Sequence, residues 1–464
     1  MTISPVAIAL PQSSLTEDEE RLVNEMLNRL AVYEVSNRLK EAYYEGEQRI
    51  HHLGIAIPPH LQNIPAVVGW AGMSVDILAE RIDWQGWRSY EGDDFGLSEV
   101  YEQNSLDIES GLATKDAFIY GTSFLVVGSG FDGEPNPLIT VESARNMTGI
   151  WDNRTRRLSA ALGVNANTNG VVDDVTLYMP YANIRVVKVN GLWVVADRDQ
   201  HNLGRVLVAQ MVNDPRASRN GGRSQITRAI RYAVDTGVRT LLGMELNREF
   251  YSTPHRWAAG MEKDAFLDEN GNPTPGWEAL MTKMMVAPPN ENGGPNPTFG
   301  QFTPASPAPY LDQIKGLAQM AASEMAAPVT YLGFHTDNPP SGDAARIMES
   351  RLIKRAEDRQ SHFGRALTEV GRLALLVRDG EIPDEYSRVT NKWRDAGTPT
   401  RSAAADEVSK LVSSGILPAD SEVVLDRIGL DPAEKAQVMN ERRKANASQR
   451  LADLQAAVQG TEVA

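Results

Sequence analysis

Three stretches of the chain carry residue types at spacings that could do chemistry. Gly128-Ser129-Gly130-Phe131-Asp132-Gly133 has the G-x-G-x-x-G spacing of a dinucleotide-binding turn and follows an apolar run. That chemistry requires a helix next, with its N-terminus holding the pyrophosphate. Glu134-Pro135-Asn136-Pro137 follows instead, which no helix accommodates, so the stretch is predicted to be a hairpin turn. Arg216, Arg219, Arg223, Arg228 and Arg231 form the second stretch, a basic cluster whose guanidinium groups could meet phosphates. A solvated face, or ion pairs between subunits, would use the same residues, and both readings stay open. The third is YLGFHTDNPPSG at 331–342, where Phe334, His335, Thr336, Asp337, Asn338 and Ser341 sit on a short loop shaped by Gly333, Pro339, Pro340 and Gly342. Such a loop either touches a ligand or simply connects two helices at the surface.

Other chemistries find no residues. There are no cysteines, hence no disulfide, thiolate nucleophile or thiolate metal site. No Gly-Lys-Ser or Gly-Lys-Thr, G-x-S-x-G or H-E-x-x-H occurs. The histidines are scattered, and adjacent His51 and His52 do not share a face of a regular helix or strand. Asp93-Asp94 and Asp173-Asp174 are loop and turn acids. No metal, cofactor or enzymatic activity is expected. The 464 residues suffice for two or three domains, no run reaches the ~18 apolar residues of a membrane span, and the N-terminal MTISPVAIALPQ lacks the basic start of a signal peptide. The net charge of −15 argues against a protein that grips nucleic acid tightly through its phosphates.

The elements that must position these stretches read as α+β, mainly helical. A helix over 15–49 is predicted, N-capped by Thr16, with Leu22, Met26, Leu27, Leu30, Tyr33 and Leu39 as its apolar spacing. Helices are predicted over about 66–82 and 96–121. From 122 to 212 the period changes to two, with strands at 123–128, 138–143, 158–164, 174–180, 184–190 and 192–197, and turn signals at Asp132-Gly133, Asp152-Asn153 and Asn190-Gly191. A helix over 225–251, N-capped by Ser224, precedes a stretch holding ten of the chain's 26 prolines between Pro254 and Pro309. That stretch is predicted to be loop-rich, with one short helix near 276–285. Leu311, Ile314, Ala318, Ala321 and Met325 give a helix over 309–327, which Pro328 ends. A second helix over 343–378 would be roughly 54 Å long. Its apolar row (Leu352, Ala356, Phe363, Leu367, Val370, Ala374, Val377) is interrupted at Arg359 and Gln360, and Gly364 makes a kink there plausible. Lys354 with Asp358 and Arg365 with Glu369 are spaced for helix pairs. A strand at 388–393 and helices over 402–414, 419–428 and 432–459 complete the chain. Asp431, Pro432 and Glu434 start the last of these.

A helix ending in AAPVTYLGF, then NPPSGDAA, then a long charged helix, together with YGTSFLVV (120–127), NDPR (213–216) and GGRSQI (221–226), resembles the portal proteins of tailed bacteriophages. The resemblance spans about residues 20–460 and lies in order and spacing, since none of these stretches is a catalytic signature. It implies the portal fold: wing over 1–222, stem helix 223–251, clip 252–308, stem helix 309–327, tunnel loop 328–342, long wing helix and strand 343–396, and helical crown 397–464. It implies a dodecameric ring at the capsid vertex with double-stranded DNA in the channel. Terminase large subunit, a head–tail adaptor, and major capsid or scaffolding protein would be its partners, with no membrane and no enzymatic activity. The tunnel-loop residues Phe334, His335, Thr336, Asp337, Asn338 and Ser341 would face DNA, while Arg223, Arg228 and Arg231 would contact DNA or a neighbouring subunit. The acidic balance is compatible with a channel through which DNA slides. The clip looks short of strands for the family. A head–tail adaptor or minor capsid protein, the alternative, would lack the central helix–loop–helix.

Overall fold

The structure is a computed structural model that describes residues 15–48, 66–90, 93–166, 172–189, 192–252, 256–259, 296, 298–303, 306–334, 342–397, 401–430 and 432–461. The chain divides into two compact units, 1–394 and 395–464.

The first unit begins with α1 (Glu17–Glu45). Thr16 caps it reciprocally: its hydroxyl accepts from Glu19 N, and Glu19 accepts from Thr16 N. Val23, Met26 and Leu30 are buried against Leu162, Val164, Val175, Leu177, Ile184 and Val186 of a five-stranded antiparallel sheet. That sheet runs in the order β4 (Met147–Asp152), β5 (Arg157–Ala166), β6 (Val172–Tyr178), β7 (Asn183–Val189), β8 (Leu192–Asp199). Glu19, nearly buried, takes two hydrogen bonds from Arg198 of β8 at 2.8 and 2.9 Å, and this partner holds its carboxyl below the usual range. Tyr33 and Leu39, expected in the apolar face, are instead 53% and 42% exposed. The buried stripe there passes to Glu34 and Asn37, which bind Arg145 and the Ala144 carbonyl.

A second sheet has the order β3 (Leu138–Ser143), β2 (Thr122–Gly128), β9 (Val208–Val212). The G-x-G-x-x-G stretch is the hairpin between β2 and β3, with Gly133 at φ 91° and Phe131 84% exposed. The expected helix 96–121 is two, α3 (Leu97–Gln103) and α4 (Leu106–Tyr120). Ser105, at φ 48°, breaks the run, and buried Asn104 just before it is held by donating to Pro137 O and accepting from Ile139 N. α2 (Trp70–Ala79) precedes β1 (Trp84–Ser89), which pairs antiparallel with β12 (Val389–Trp393). The period-two pattern overlooks β4 and β9, which are short and have no clean alternation.

α5 (Arg228–Ser252) starts three residues later than its expected start at 225. Thr227 accepts from Ile230 N, whereas Ser224 donates to Ile119 O and accepts from Ile226 N in the preceding turn. The proline-rich stretch does contain strands: β10 (Arg256–Ala259) and β11 (Thr298–Gln301) pair antiparallel. The helix expected near 276–285 lies outside the described residues. α6 (Ala308–Met325) and α7 (Gly342–Asp379) follow.

α7 has no break at Gly364. Gly364 and Gly371 admit close neighbours rather than a bend: a Cβ on Gly364 would lie 3.2 Å from Asn391 Nδ2, and one on Gly371 would collide with Tyr386 Oη and the Trp87 ring. Through these gaps Asn391 donates to Gly364 O (2.7 Å), Trp87 Nε1 to Leu367 O (2.9 Å) and Tyr386 Oη to Thr368 O (2.7 Å). Neither expected pair forms on α7: other elements supply the partners of Arg365 and Glu369, and Lys354 turns to a nearer residue of α7 itself. Glu369 pairs with Arg205 at 2.7 Å, Arg365 donates to Arg156 O and lies over the Trp151 ring, and Lys354 pairs with Glu357.

The second unit comprises α8 (Arg401–Ser413), α9 (Glu422–Ile428) and α10 (Pro432–Thr461). Its buried apolar residues, Ala404, Val408, Val424 and Leu425, are supplemented by ion pairs from Lys435 to Glu422 and Asp426 and from Arg427 to Glu407. Asp431 lies outside the described residues.

Candidate functional site

The polar stretch 331–342 connects α6 to α7. α5 and α6 run antiparallel. Thr227 at the start of α5 donates to Glu324 near the end of α6, while Gly243, further along α5, faces the Tyr310 ring at the start of α6. The β10–β11 strand pair therefore follows the opposite end of the helix pair from residues 328–334. Ala318, Ala321 and Met325 of α6 are buried as their spacing predicts, whereas Leu311, toward the strand pair, is 49% exposed.

Pro328 forbids helical backbone at Ala327, so α6 must close before it. It does so with a double turn: Ala326 adopts φ 59°, Ala327 N donates to Ala322 O, and Ala326 N donates to Ser323 O. A single 3-10 turn, Val329–Leu332, leads to Gly333 at φ 84°. Phe334 is half-buried. His335, Thr336, Asp337, Asn338 and Ser341 lie outside the described residues.

Both ends of the loop are fixed by side chains. Tyr331 Oη donates to Glu349 Oε1 at 2.5 Å, and Arg81 Nη2 donates to Tyr331 Oη at 2.8 Å and to Glu349 Oε2 at 3.1 Å. Tyr331 precedes the loop, Glu349 lies in the second turn of α7, and Arg81 follows α2. Burial and then the Glu349 bond push the Tyr331 hydroxyl up, so it remains a donor at neutral pH. Arg355 of α7 adds a bond to Glu324 O at 2.9 Å, placing a cation at the C-terminal end of α6.

The basic cluster is not gathered into one ligand site. Arg223 lies 3.9 Å from Glu324, an ion pair within the chain. Arg228 is exposed on the first turn of α5. Arg231 is half-buried with its guanidinium over the Tyr43 ring, whose hydroxyl donates to Asp235. Arg216 and Arg219 are exposed and joined through their backbones. Lys40 of α1, which no sequence spacing picks out, is drawn into this field. Burial, then Arg231 and Arg219, lower its ammonium to about 8.

Arg359, expected to interrupt the seam of α7, is 7% exposed and pairs with Asp214 at 3.4 Å. Asp214 belongs to NDPR, and Asn213 beside it is fully buried. Asn213 donates from Nδ2 to Arg223 O and from its backbone to Gly121 O. A Cβ on Gly222 would collide with those same Gly121 and Asn213 carbonyls. The YGTS, NDPR and GGRSQ stretches thus form one folded knot that holds the start of α5. Arg81 and Glu349 are the residues the sequence does not reveal, since only their partner Tyr331 lies in a distinctive stretch. Among the described residues no cluster of histidine and carboxylate side chains could hold a metal, and no helix is long and apolar enough to cross a membrane.

The family described as "Phage portal protein, SPP1 Gp6-like" matches residues 36–449. The portal protein of Mycobacterium phage D29 is 31% identical over 418 residues, covering 88% of this chain and 85% of the relative. That of Mycobacterium phage L5 is 30% identical over 417 residues with the same coverage. A solved structure titled "Neck of native GTA particle computed with C12 symmetry" aligns with a TM-score of 0.38 at 12% identity, covering 78% of this chain and 90% of that one. The chain belongs to the phage portal protein family. It is a structural component of the virion and not an enzyme, forming a ring at the capsid vertex for the passage of DNA. This sets aside the adaptor and minor capsid alternatives.

Proposed function

We propose that the ring is a dodecamer in which 328–342 is the tunnel loop, α5 and α6 line the channel, and the proline-rich stretch with β10 and β11 is the clip. The clip meets the terminase large subunit during packaging and a head–tail adaptor afterwards. Major capsid or scaffolding protein surrounds the wing, and 397–464 is the crown. Phe334, His335, Thr336, Asp337, Asn338 and Ser341 face double-stranded DNA, while Arg228, exposed at the start of α5, contacts DNA or a neighbouring subunit. The observation that supports this reading is the antiparallel pairing of α5 with α6, with the β10–β11 strand pair at one end and residues 328–334, which enter the loop, at the other. A docking tip and a DNA-facing loop need that separation. A protein of net charge −15 suits a conduit, because few phosphate contacts leave little to retard sliding DNA.

Deleting Phe334–Ser341 tests the loop. Native mass spectrometry is expected to show rings of unchanged stoichiometry, while packaging assays show DNA that is poorly packaged or retained. A variant that does not fold would make the loop a structural connection and remove the assignment's main support.

A further inference from the structure

We propose that Arg81, Tyr331 and Glu349 form a staple that fixes both roots of the tunnel loop, so that the grip of the loop on packaged DNA depends on a hydrogen-bonded triad remote from the DNA. The inference rests on reading 328–342 as the tunnel loop. Its geometry is closed on all three sides: Tyr331 to Glu349 at 2.5 Å, Arg81 to Tyr331 at 2.8 Å and Arg81 to Glu349 at 3.1 Å. The Arg81 and Glu349 side chains are 11% and 23% exposed, so solvent screens the pair little. Each contact engages a charged partner, the stronger kind of hydrogen bond.

The placement gives the triad its role. Tyr331 lies in the 3-10 turn that enters the loop, and Glu349 lies on the first turns of α7, which leave it. Around Glu349 the helix is otherwise open to solvent: Arg346, Ile347, Met348, Ser350 and Arg351 are all exposed. Apolar packing therefore does not hold this part of α7 in the subunit. Leu332 is buried, yet it secures only the entering strand of the loop. Arg81, anchored just after α2, ties both roots to the body of the first unit. Arg81, Tyr331 and Glu349 are positioning residues, since none belongs to the surface that meets DNA.

The test uses full-length rings of Tyr331→Phe, which removes one hydroxyl, and Glu349→Gln, which removes one charge while keeping shape. Native mass spectrometry reports assembly, amide hydrogen exchange reports the loop roots, and nuclease challenge of filled heads reports DNA retention. Expected are rings of wild-type stoichiometry, exchange at 329–334 and 342–349 faster by roughly ten-fold or more, the effect of losing one charge-assisted hydrogen bond, and reduced retention. Unchanged exchange in both variants would overturn the staple. Faster exchange with normal retention would overturn its link to DNA if the Phe334–Ser341 deletion still loses DNA. If that deletion also retains DNA normally, the tunnel-loop reading itself falls. A variant that fails to assemble would make the triad part of the fold and overturn its role as a positioning device, and the paired Phe and Gln changes keep that outcome separable from the loss of one contact.

Discussion

The two ends of α7 are built on opposite plans. From Leu352 onward its seam is buried, with Phe363, Val370, Leu373 and Leu375 fully enclosed and the Phe363 ring 5.4 Å from that of Phe118. There the helix even lends its backbone: the carbonyls of Gly364, Leu367 and Thr368 accept from Asn391, Trp87 and Tyr386 in addition to their helical partners. The end that follows the loop buries almost nothing, leaving Ile347 73% and Met348 42% exposed. One end is held by apolar packing, while at the other Glu349 is held by Tyr331 and Arg81. The difference teaches that a single helix can be rooted in a core and still present an exposed end held only by polar contacts, provided that glycines sit where the root is gripped.

Substitutions sharpen this contrast. Gly371→Ala should have the largest effect. Helix propensity favours alanine by about 1 kcal/mol, but overpacking against buried Tyr386 and Trp87 costs about 1–3 kcal/mol, and displacing their hydrogen bonds adds about 1 kcal/mol each. A net loss of about 2–4 kcal/mol is expected in urea unfolding followed by tryptophan fluorescence, since Trp87 lies at the contact. A gain in stability would show that the grip is loose. Asn391→Ala should cost about 1–2 kcal/mol in the same measurement, because it leaves the Thr368 hydroxyl and the Gly364 carbonyl each one partner short. Ile347→Ser should leave the isolated subunit within about 0.5 kcal/mol of the parent. A larger loss would mean that the exposed end packs after all.

How much of this was legible in the sequence depends on what each residue's partner was. The cap at Thr16, the end of α6 at Pro328, most strands and the hairpin at Gly128–Gly133 were readable, because each is decided by neighbours in sequence. The G-x-G-x-x-G spacing was correctly rejected on the prolines that follow it. The break at Ser105 was not readable, since Asn104 beside it is held by Pro137 and Ile139, distant in sequence. Nor was the continuity of α7 at Gly364, where the glycine admits Asn391 from a distant strand. Arg359 read as a flaw in an apolar seam and is instead a buried partner of Asp214. The same limit applies at the candidate site. Its loop stood out by composition, but the residues fixing it come from three separated segments and carry no local signal.

The rooted half of α7 has a mechanical corollary. With 1.5 Å of rise per residue, the stretch from Gly342 to Leu352, where burial of the seam begins, overhangs by about 15 Å. A sideways displacement of about 1 Å at its tip corresponds to about 4° of rotation at the root. The indole and phenol donors from Trp87 and Tyr386 are directional and resist such rotation, so the fixed end behaves as a built-in beam rather than a pivot. Deflection imposed at the tip is then absorbed by elastic curvature along the span, spread over many hydrogen bonds, and returns when the force is released.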